Sequence, residues 1–150
     1  MEKPRLKVFL DTSALIAGLA SSKGAARELL RLAELELIDI VLSRQVIVEA
    51  DRNIEAKMPE IVYEYRAFIK LLAPVLVDDP SPKDVKKYSA LIDPDDAPIL
   101  AAAVLSGVDC LVTWDRKHFL KSDIKISSHL MILTPGEFLK YFRHHIETEG

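Results

Sequence analysis

Leu6-Lys7-Val8-Phe9-Leu10-Asp11 is a strand-length apolar run that closes on a carboxylate, and a second run of the same form stands at Cys110-Leu111-Val112-Thr113, followed by Trp114-Asp115. Short apolar runs bounded by polar residues read as buried strands. In open α/β sheets ligands gather beyond the carboxyl ends of the strands. Asp11 and Asp115 are therefore expected at one edge of the sheet.

Between these runs, apolar segments alternate with helical patterns, as parallel strands joined by crossovers do. The expected class is α/β. Ser13 to Ala20 reads as a short helix, and Lys23 to Glu34 carries Ala26, Leu29, Leu30 and Ala33 at helical spacing. Ile38-Asp39-Ile40-Val41-Leu42 is the second strand, with Ser43 as N-cap of a helix through Val46, Ile47 and Ala50. Glu49 then lies roughly 9 Å from that helix start, at ~1.5 Å per residue. A further amphipathic helix is expected over Glu60 to Leu72, an edge strand at Pro74 to Val77, and a helix over Lys83 to Leu91. The rest reads as a strand over Asp109 to Thr113, a short helix near Lys117, a strand over Leu130 to Leu133 and a terminal helix from Pro135. There is no repeat, low-complexity segment or linker, so residues 1–150 are expected to form a single domain.

Pro98 constrains the acidic turn Asp93-Pro94-Asp95-Asp96. Proline fits only the first turn of a helix, where N–H groups have no partner within the helix. The Ala-rich helix that follows should begin no earlier than Asp95, with Asp95 as N-cap, Asp96 as the freer carboxylate at the next position, and Asp93 in turn chemistry. This helix ends at Gly107 and leads into the strand before Asp115, so its N-terminus should lie at the edge where the strands finish. Asp11, Asp96 and Asp115 are thus expected to converge. Singly, each acid has an ordinary reading as a helix cap, a surface residue or a dipole complement. Capping does not require several acids to meet, and clustered carboxylates repel unless protonated or neutralised by a hard cation. Together with Glu49 they read as a divalent-metal nuclease site.

A chain of 150 residues can bury a core without staples. The single cysteine, Cys110, excludes an internal disulfide and reads as a small buried hydrophobe. The opening Met1 to Ser22 imitates a secretory signal, but Asp11 interrupts its apolar stretch, and no other stretch approaches the ~20 residues of a membrane span. The expected location is cytoplasmic, with no membrane partner. The net charge of −3 runs against nucleic-acid binding, although a local basic strip suffices for phosphate contacts. Lys23 and Arg27 at the start of the second helix, and Arg116, Lys117, Lys121 and Lys125 after the last acid, could form one, or merely a solvated face.

Val8-Phe9-Leu10-Asp11-Thr12-Ser13-Ala14-Leu15-Ile16, Glu49, Asp93-Pro94-Asp95-Asp96 before an Ala-rich helix, and Leu111-Val112-Thr113-Trp114-Asp115 together resemble the PIN-domain ribonucleases, of the kind found as VapC-type toxins in prokaryotic toxin–antitoxin pairs. The resemblance covers nearly the whole chain. It implies a three-layer α/β/α fold with a mainly parallel sheet of about five strands, and Asp11, Glu49, Asp96 and Asp115 as catalytic, metal-binding acids. It also implies Ser13 and Thr113 as supporting hydroxyls, beside Asp95. Ser13 stands where asparagine is common, and Trp114 where glycine or arginine is; Trp114 reads as core packing, with stacking on a base as the alternative.

The implied function is Mg²⁺- or Mn²⁺-dependent hydrolysis of RNA by the toxin of a toxin–antitoxin pair, with an antitoxin protein as partner. The alternatives are a housekeeping RNA-processing nuclease and a non-catalytic metal-binding interaction module. Zinc fits poorly, because the four histidines lack ligand spacing, and His118 reads as exposed. A phosphatase with an aspartyl nucleophile would want a second aspartate where Ser13 stands. The 49% hydrophobic content, with the wide set Ile61, Val62, Tyr65, Phe68, Ile69 and Leu72, leads to the expectation of a homodimer through the helical region between Arg44 and Leu72.

Overall fold

A computed structural model describes residues 4–115, 117–119, 121, 124 and 128–149. Five parallel strands form one sheet: β1 (Leu6–Leu10), β2 (Ile38–Ser43), β3 (Val75–Val77), β4 (Cys110–Val112) and β5 (Ile132–Leu133), in the order β3-β2-β1-β4-β5. β1 is central, paired with β2 through Val8↔Ile40 and with β4 through Val8↔Cys110. Its Val8, Phe9 and Leu10 are all buried, which explains the near-continuous apolar run: a strand covered on both faces has no polar side.

The helices whose bounds are described are α1 (Thr12–Ala20), α2 (Ala25–Glu34), α3 (Arg44–Lys57), α4 (Val62–Leu72), α5 (Pro82–Lys86), α6 (Ala97–Leu105) and α7 (Pro135–Glu149). The connections from β1 to β2 and from β2 to β3 step one way across the sheet, and the one from β3 to β4 steps back past β1. Right-handed crossovers therefore put α1 to α4 on one face and α5 and α6 on the other. Packing agrees, since α2 contacts α1, α4 and α7, whereas α5 contacts α6. The result is the expected three-layer α/β/α arrangement.

Local chemistry places these elements. The Ser43 side chain accepts from Val46 N–H at 3.4 Å and caps α3 as anticipated. Gly107, at φ +67°, provides the left-handed residue that ends α6 and turns the chain into β4. Gly18 lets α1 and α2 meet closely: a Cβ there would lie 2.5 Å from Leu30 Cδ1 and 3.0 Å from the Ala26 carbonyl oxygen. Gly18→Val is expected to destabilise the fold by about 1–3 kcal/mol through overpacking, measured by urea unfolding; unchanged stability would mean that α1 and α2 separate at no cost.

Three expectations are corrected. The helix foreseen over Lys83 to Leu91 stops at Lys86. Beyond it Tyr88 N–H bonds to the Val85 carbonyl at 3.0 Å and Ser89 Oγ donates to the Lys86 carbonyl at 2.9 Å, so three-residue turns and a serine hydroxyl take the groups that helix would use. The helix over Glu60 to Leu72 is a 3₁₀ turn at Pro59–Ile61 followed by α4. Near Lys117, residues 117–119 form a turn rather than a helix, while Arg116 and Lys125 lie outside the described residues. Cys110 is buried, and that burial raises its thiol to a pKa of about 12. Among the described residues no helix is long and apolar enough to cross a membrane.

Candidate active site

The strand order reverses between β1 and β4, and the crevice beyond their carboxyl ends is where such sheets bind ligands. Asp11 follows β1, its N–H bonded to the Val112 carbonyl at 3.2 Å, and Asp115 follows β4. Asp96 stands at the start of α6 and Glu49 one turn into α3. All four carboxylates line a single cleft of about 390 Å³.

Asp11 is almost wholly buried, 3% exposed, and heavily partnered. Thr113 Oγ1 donates to its Oδ2 at 2.5 Å, Ser13 Oγ to its Oδ1 at 2.8 Å and Ala14 N–H to the same oxygen at 2.9 Å. Asp11 therefore caps α1 as well as facing the cleft. Burial pushes its pKa up, opposed by these three hydrogen bonds and helped by the charge of Asp115. Ser13 and Thr113 also extend outward: Ser13 Oγ accepts from Trp114 N–H at 3.1 Å, and Thr113 Oγ1 from Asp115 N–H at 2.9 Å. The segment 113–115 is thereby tied to the carboxylate that ends β1. Trp114 is 41% exposed, so the core-packing reading of this residue does not hold.

Glu49 is held by Thr12 Oγ1 and Gln45 Nε2, each donating at 2.8 Å. Glu49, Asn53 and Lys57 follow one another at four-residue spacing on α3, and all three face the cleft. Asn53, Lys57, Thr12 and Gln45 were not anticipated, although counting in fours from Glu49 along the helix would have found Asn53 and Lys57.

The capping expectation at α6 is reversed. Asp93 Oδ1 accepts from Asp95 N–H at 2.9 Å, and the Asp93 carbonyl accepts from Asp96 and Ala97 N–H at 2.9 and 3.0 Å. That turn delays the helix to Ala97, places Pro98 at its second residue and leaves Asp96 in the N-cap position with no capping bond from its side chain. Asp96 is the free carboxylate for a different reason from the one foreseen, while Asp95 is exposed and off the cleft. Burial raises the Asp96 pKa to about 6, with His118 lowering it and Asp115, Asp93 and Asp11 adding to the rise.

His118 corrects the expectation of an exposed side chain. Its Nδ1 lies 2.9 Å from Asp96 Oδ2 and 2.9 Å from Asp115 Oδ2, and the backbone N–H of His118 donates to Asp115 Oδ1 at 3.0 Å. The three-residue spacing from Asp115 was the signal. Asp96, Asp115 and His118 offer ligand atoms within 4.8 Å of one another, a set able to hold a metal ion. Of the expected basic strip, Lys23 and Arg27 lie off the cleft. Arg27 donates to the Gly18 carbonyl at 3.3 Å and sits 5.0 Å over the Phe68 ring, packing α1, α2 and α4 together. Lys117 and Lys121 are exposed.

Fold and crevice define a class: a parallel α/β domain whose switch point is lined by carboxylates. The PIN domain family profile matches residues 7–117, and the chain belongs to the PIN domain family. Among solved structures it is similar in fold to a chain in the crystal structure of FitAcB from Neisseria gonorrhoeae, with 16% identity and a TM-score of 0.60 over 85% of this chain and 97% of that one. No curated protein sequence matches it significantly.

Proposed function

We propose that the protein is a metal-dependent endoribonuclease, with residues 1–150 as one PIN-like nuclease domain. One observation carries the reading: Asp11, Glu49, Asp96 and Asp115 reach a single cleft from four separate elements at the switch point of a PIN-family fold. The donor set suits a hard divalent cation. It consists of carboxylate oxygens, with Asp11 buried, and the His118 Nδ1 lies 2.9 Å from an oxygen of both Asp96 and Asp115. Mg²⁺ or Mn²⁺ would be held by Asp11, Glu49, Asp96 and Asp115, with His118 Nδ1 a further ligand atom beside the latter two. A cation bound there supplies charge stabilisation at the phosphate and a water of lowered pKa.

The chain's own groups act by orientation. Thr113, Ser13 and the Ala14 N–H fix both oxygens of Asp11, and Thr12 and Gln45 fix those of Glu49. These carboxylates meet substrate without rearranging, which is how a prepared site lowers the cost of reaction. Asp96, free of capping duty, and Asp115 are left to hold the cation, with His118 Nδ1 2.9 Å from a carboxylate oxygen of each. In the overall reaction water adds to phosphorus, the bond to the leaving oxygen breaks, and that oxygen takes up a proton.

Incubating purified protein with single-stranded RNA in Mg²⁺, in Mn²⁺ or in excess EDTA tests the reading. Cleavage that needs metal supports it, and no cleavage under any condition favours a non-catalytic module that binds metal. The finer assignment, a cytoplasmic toxin held by an antitoxin, is supported by the resemblance to VapC-type proteins. A small antitoxin frame directly upstream would separate it from housekeeping RNA processing.

A homodimer through the α3–α4 region belongs to the same reading. Val62, Tyr65 and Leu72 are buried within the protomer, which narrows the face first considered. What remains is a groove between α3 and α4 lined by Ile47, Val48 and Ile69, with Tyr63 and Leu71 strongly exposed nearby on α4. Val48→Glu with Ile69→Glu is the appropriate test, since Tyr65→Glu would strike the core. Light scattering is expected to give a dimer for the wild type and a folded monomer for the double variant; a monomeric wild type removes the interface.

A further inference from the structure

We propose that Asn53 and Lys57 of α3 form a phosphate-gripping wall, so that the substrate lies along α3 as an extended single strand running from Glu49 toward Lys57. The inference rests on the nuclease reading and extends it to how the strand is held. The three α3 residues are four apart, and each lines the cleft opposite Thr12, Ser13 and Ile16 of α1. The other sides of α3 are committed elsewhere: Ala50 and Ile54 are core, and Asp51 pairs with Arg66 of α4 at 3.0 Å. From Glu49 to Lys57 the helix rises about 12 Å, at ~1.5 Å per residue. Phosphates are about 3.4 Å apart along the axis of a duplex strand and wider apart in an extended single strand, so this length spans no more than about three phosphates beyond the acids.

Charge selects Lys57. Among the described residues it is the one cation that lines the cleft, and it makes no ion pair with any of them. Arg5, Arg31, Arg66 and Lys87 each have an acidic partner within 4.0 Å. Two turns along α3 from Glu49, an exposed Lys57 is left to meet an anion that arrives from outside. Asn53, half-buried between them, presents an amide that can donate to a phosphate oxygen. This places positive charge where a protein of net charge −3 needs it. The competing account is that Lys57 only complements the negative end of the α3 dipole.

The test is single-turnover and steady-state cleavage of labelled single-stranded RNA in Mn²⁺ over a range of KCl, with wild type, Lys57→Ala, Lys57→Arg and Asn53→Ala. Lys57→Ala is expected to raise KM about 5- to 10-fold with kcat within about 2-fold, as loss of uniform binding does. The salt dependence of log KM should fall by about 0.7, the slope for one phosphate contact on a single strand. Lys57→Arg should restore both, and Asn53→Ala should raise KM more weakly. The Lys57→Ala penalty should vanish for an RNA too short to reach from the acids to Lys57. An unchanged KM and salt slope overturns the proposal, as does a loss of melting temperature with kcat lowered and KM unchanged, the mark of a helix-end role that only reduces the folded fraction. If the wild type cleaves no RNA at all, the nuclease reading fails and this inference goes with it; cleavage without a Lys57 effect overturns the inference alone.

Discussion

Asp96→Asn is expected to lower RNA cleavage by at least about 10²-fold, the scale of removing one group that stabilises transition-state charge, while the protein stays folded and melts no lower than wild type. Asp96 occupies the N-cap position of α6 without capping it, and asparagine is among the residues that position favours. Its carboxylate is half-buried and faces the charges of Asp115, Asp93 and Asp11, so in the metal-free protein ionisation costs stability there. The sign follows from the raised pKa. Between the ordinary value of 3.8 and about 6 the folded state binds more protons than the unfolded one, so this group's contribution falls as pH rises through that window. Asp96→Asn should therefore raise the melting temperature above pH 6, by roughly 2–4 °C for each kcal/mol relieved, and have a vanishing effect below pH 4. Full activity in this variant would remove Asp96 from the site, and Asp95, exposed and off the cleft, could not replace it.

The order of elements and the convergence of acids were legible because they rest on strong signals. β4 and Val8, Phe9 and Leu10 of β1 are apolar because helices cover both sheet faces, with Lys7 the exposed exception, and Asp11 follows β1 directly while Asp115 stands three residues past β4. Pro98 limited where α6 could start, and Gly107 marked where it stops. The details that failed turn on hydrogen bonds between neighbours. Asp93 folds its side chain and carbonyl back onto residues 95 to 97, which shifts the cap by one residue. Ser89 similarly takes a carbonyl that a longer α5 would have used. Such competition is decided by a fraction of the energy of a single bond, and composition does not resolve it.

Long-range pairs were harder still. His118 looked like a surface histidine because nothing in the sequence shows that Asp96, twenty-two positions earlier, comes to meet the same ring nitrogen as Asp115. Trp114 reads by sequence as core packing, yet its backbone N–H donates to Ser13 Oγ and its side chain is left substantially exposed. Arg27 read as a phosphate ligand by charge, whereas its length lets it lie across Phe68. Tyr65 belongs by sequence to the wide apolar set from which a dimer interface is expected, but it is 4% exposed, and its hydroxyl finds no partner among the described residues. Burial and the nearby Asp51 raise its pKa to about 12, so that it stays neutral.

Divalent metal is expected to stabilise the folded protein markedly at neutral pH. A ligand that binds only the folded state at 100 times its Kd adds about 2.7 kcal/mol, or roughly 5–11 °C at the 2–4 °C per kcal/mol usual for a chain of this size. The source is the acid cluster itself: carboxylates that repel one another in the free protein become ligands when a cation joins them. Asp11→Asn should shrink the shift, because it removes a buried oxygen ligand while its one amide oxygen can still accept from Ser13 Oγ and Ala14 N–H, leaving its NH₂ to donate toward Thr113 Oγ1. Its own stability in EDTA separates the two effects: burial raises the Asp11 pKa, so neutralising it should not harm the metal-free fold. The shift should also fade as pH falls below about 6, where Asp96 takes up a proton and ceases to be a ligand. A wild-type melting temperature indifferent to millimolar Mg²⁺ and Mn²⁺, against controls of matched ionic strength, would mean that these four acids meet at the switch point without serving as a metal site.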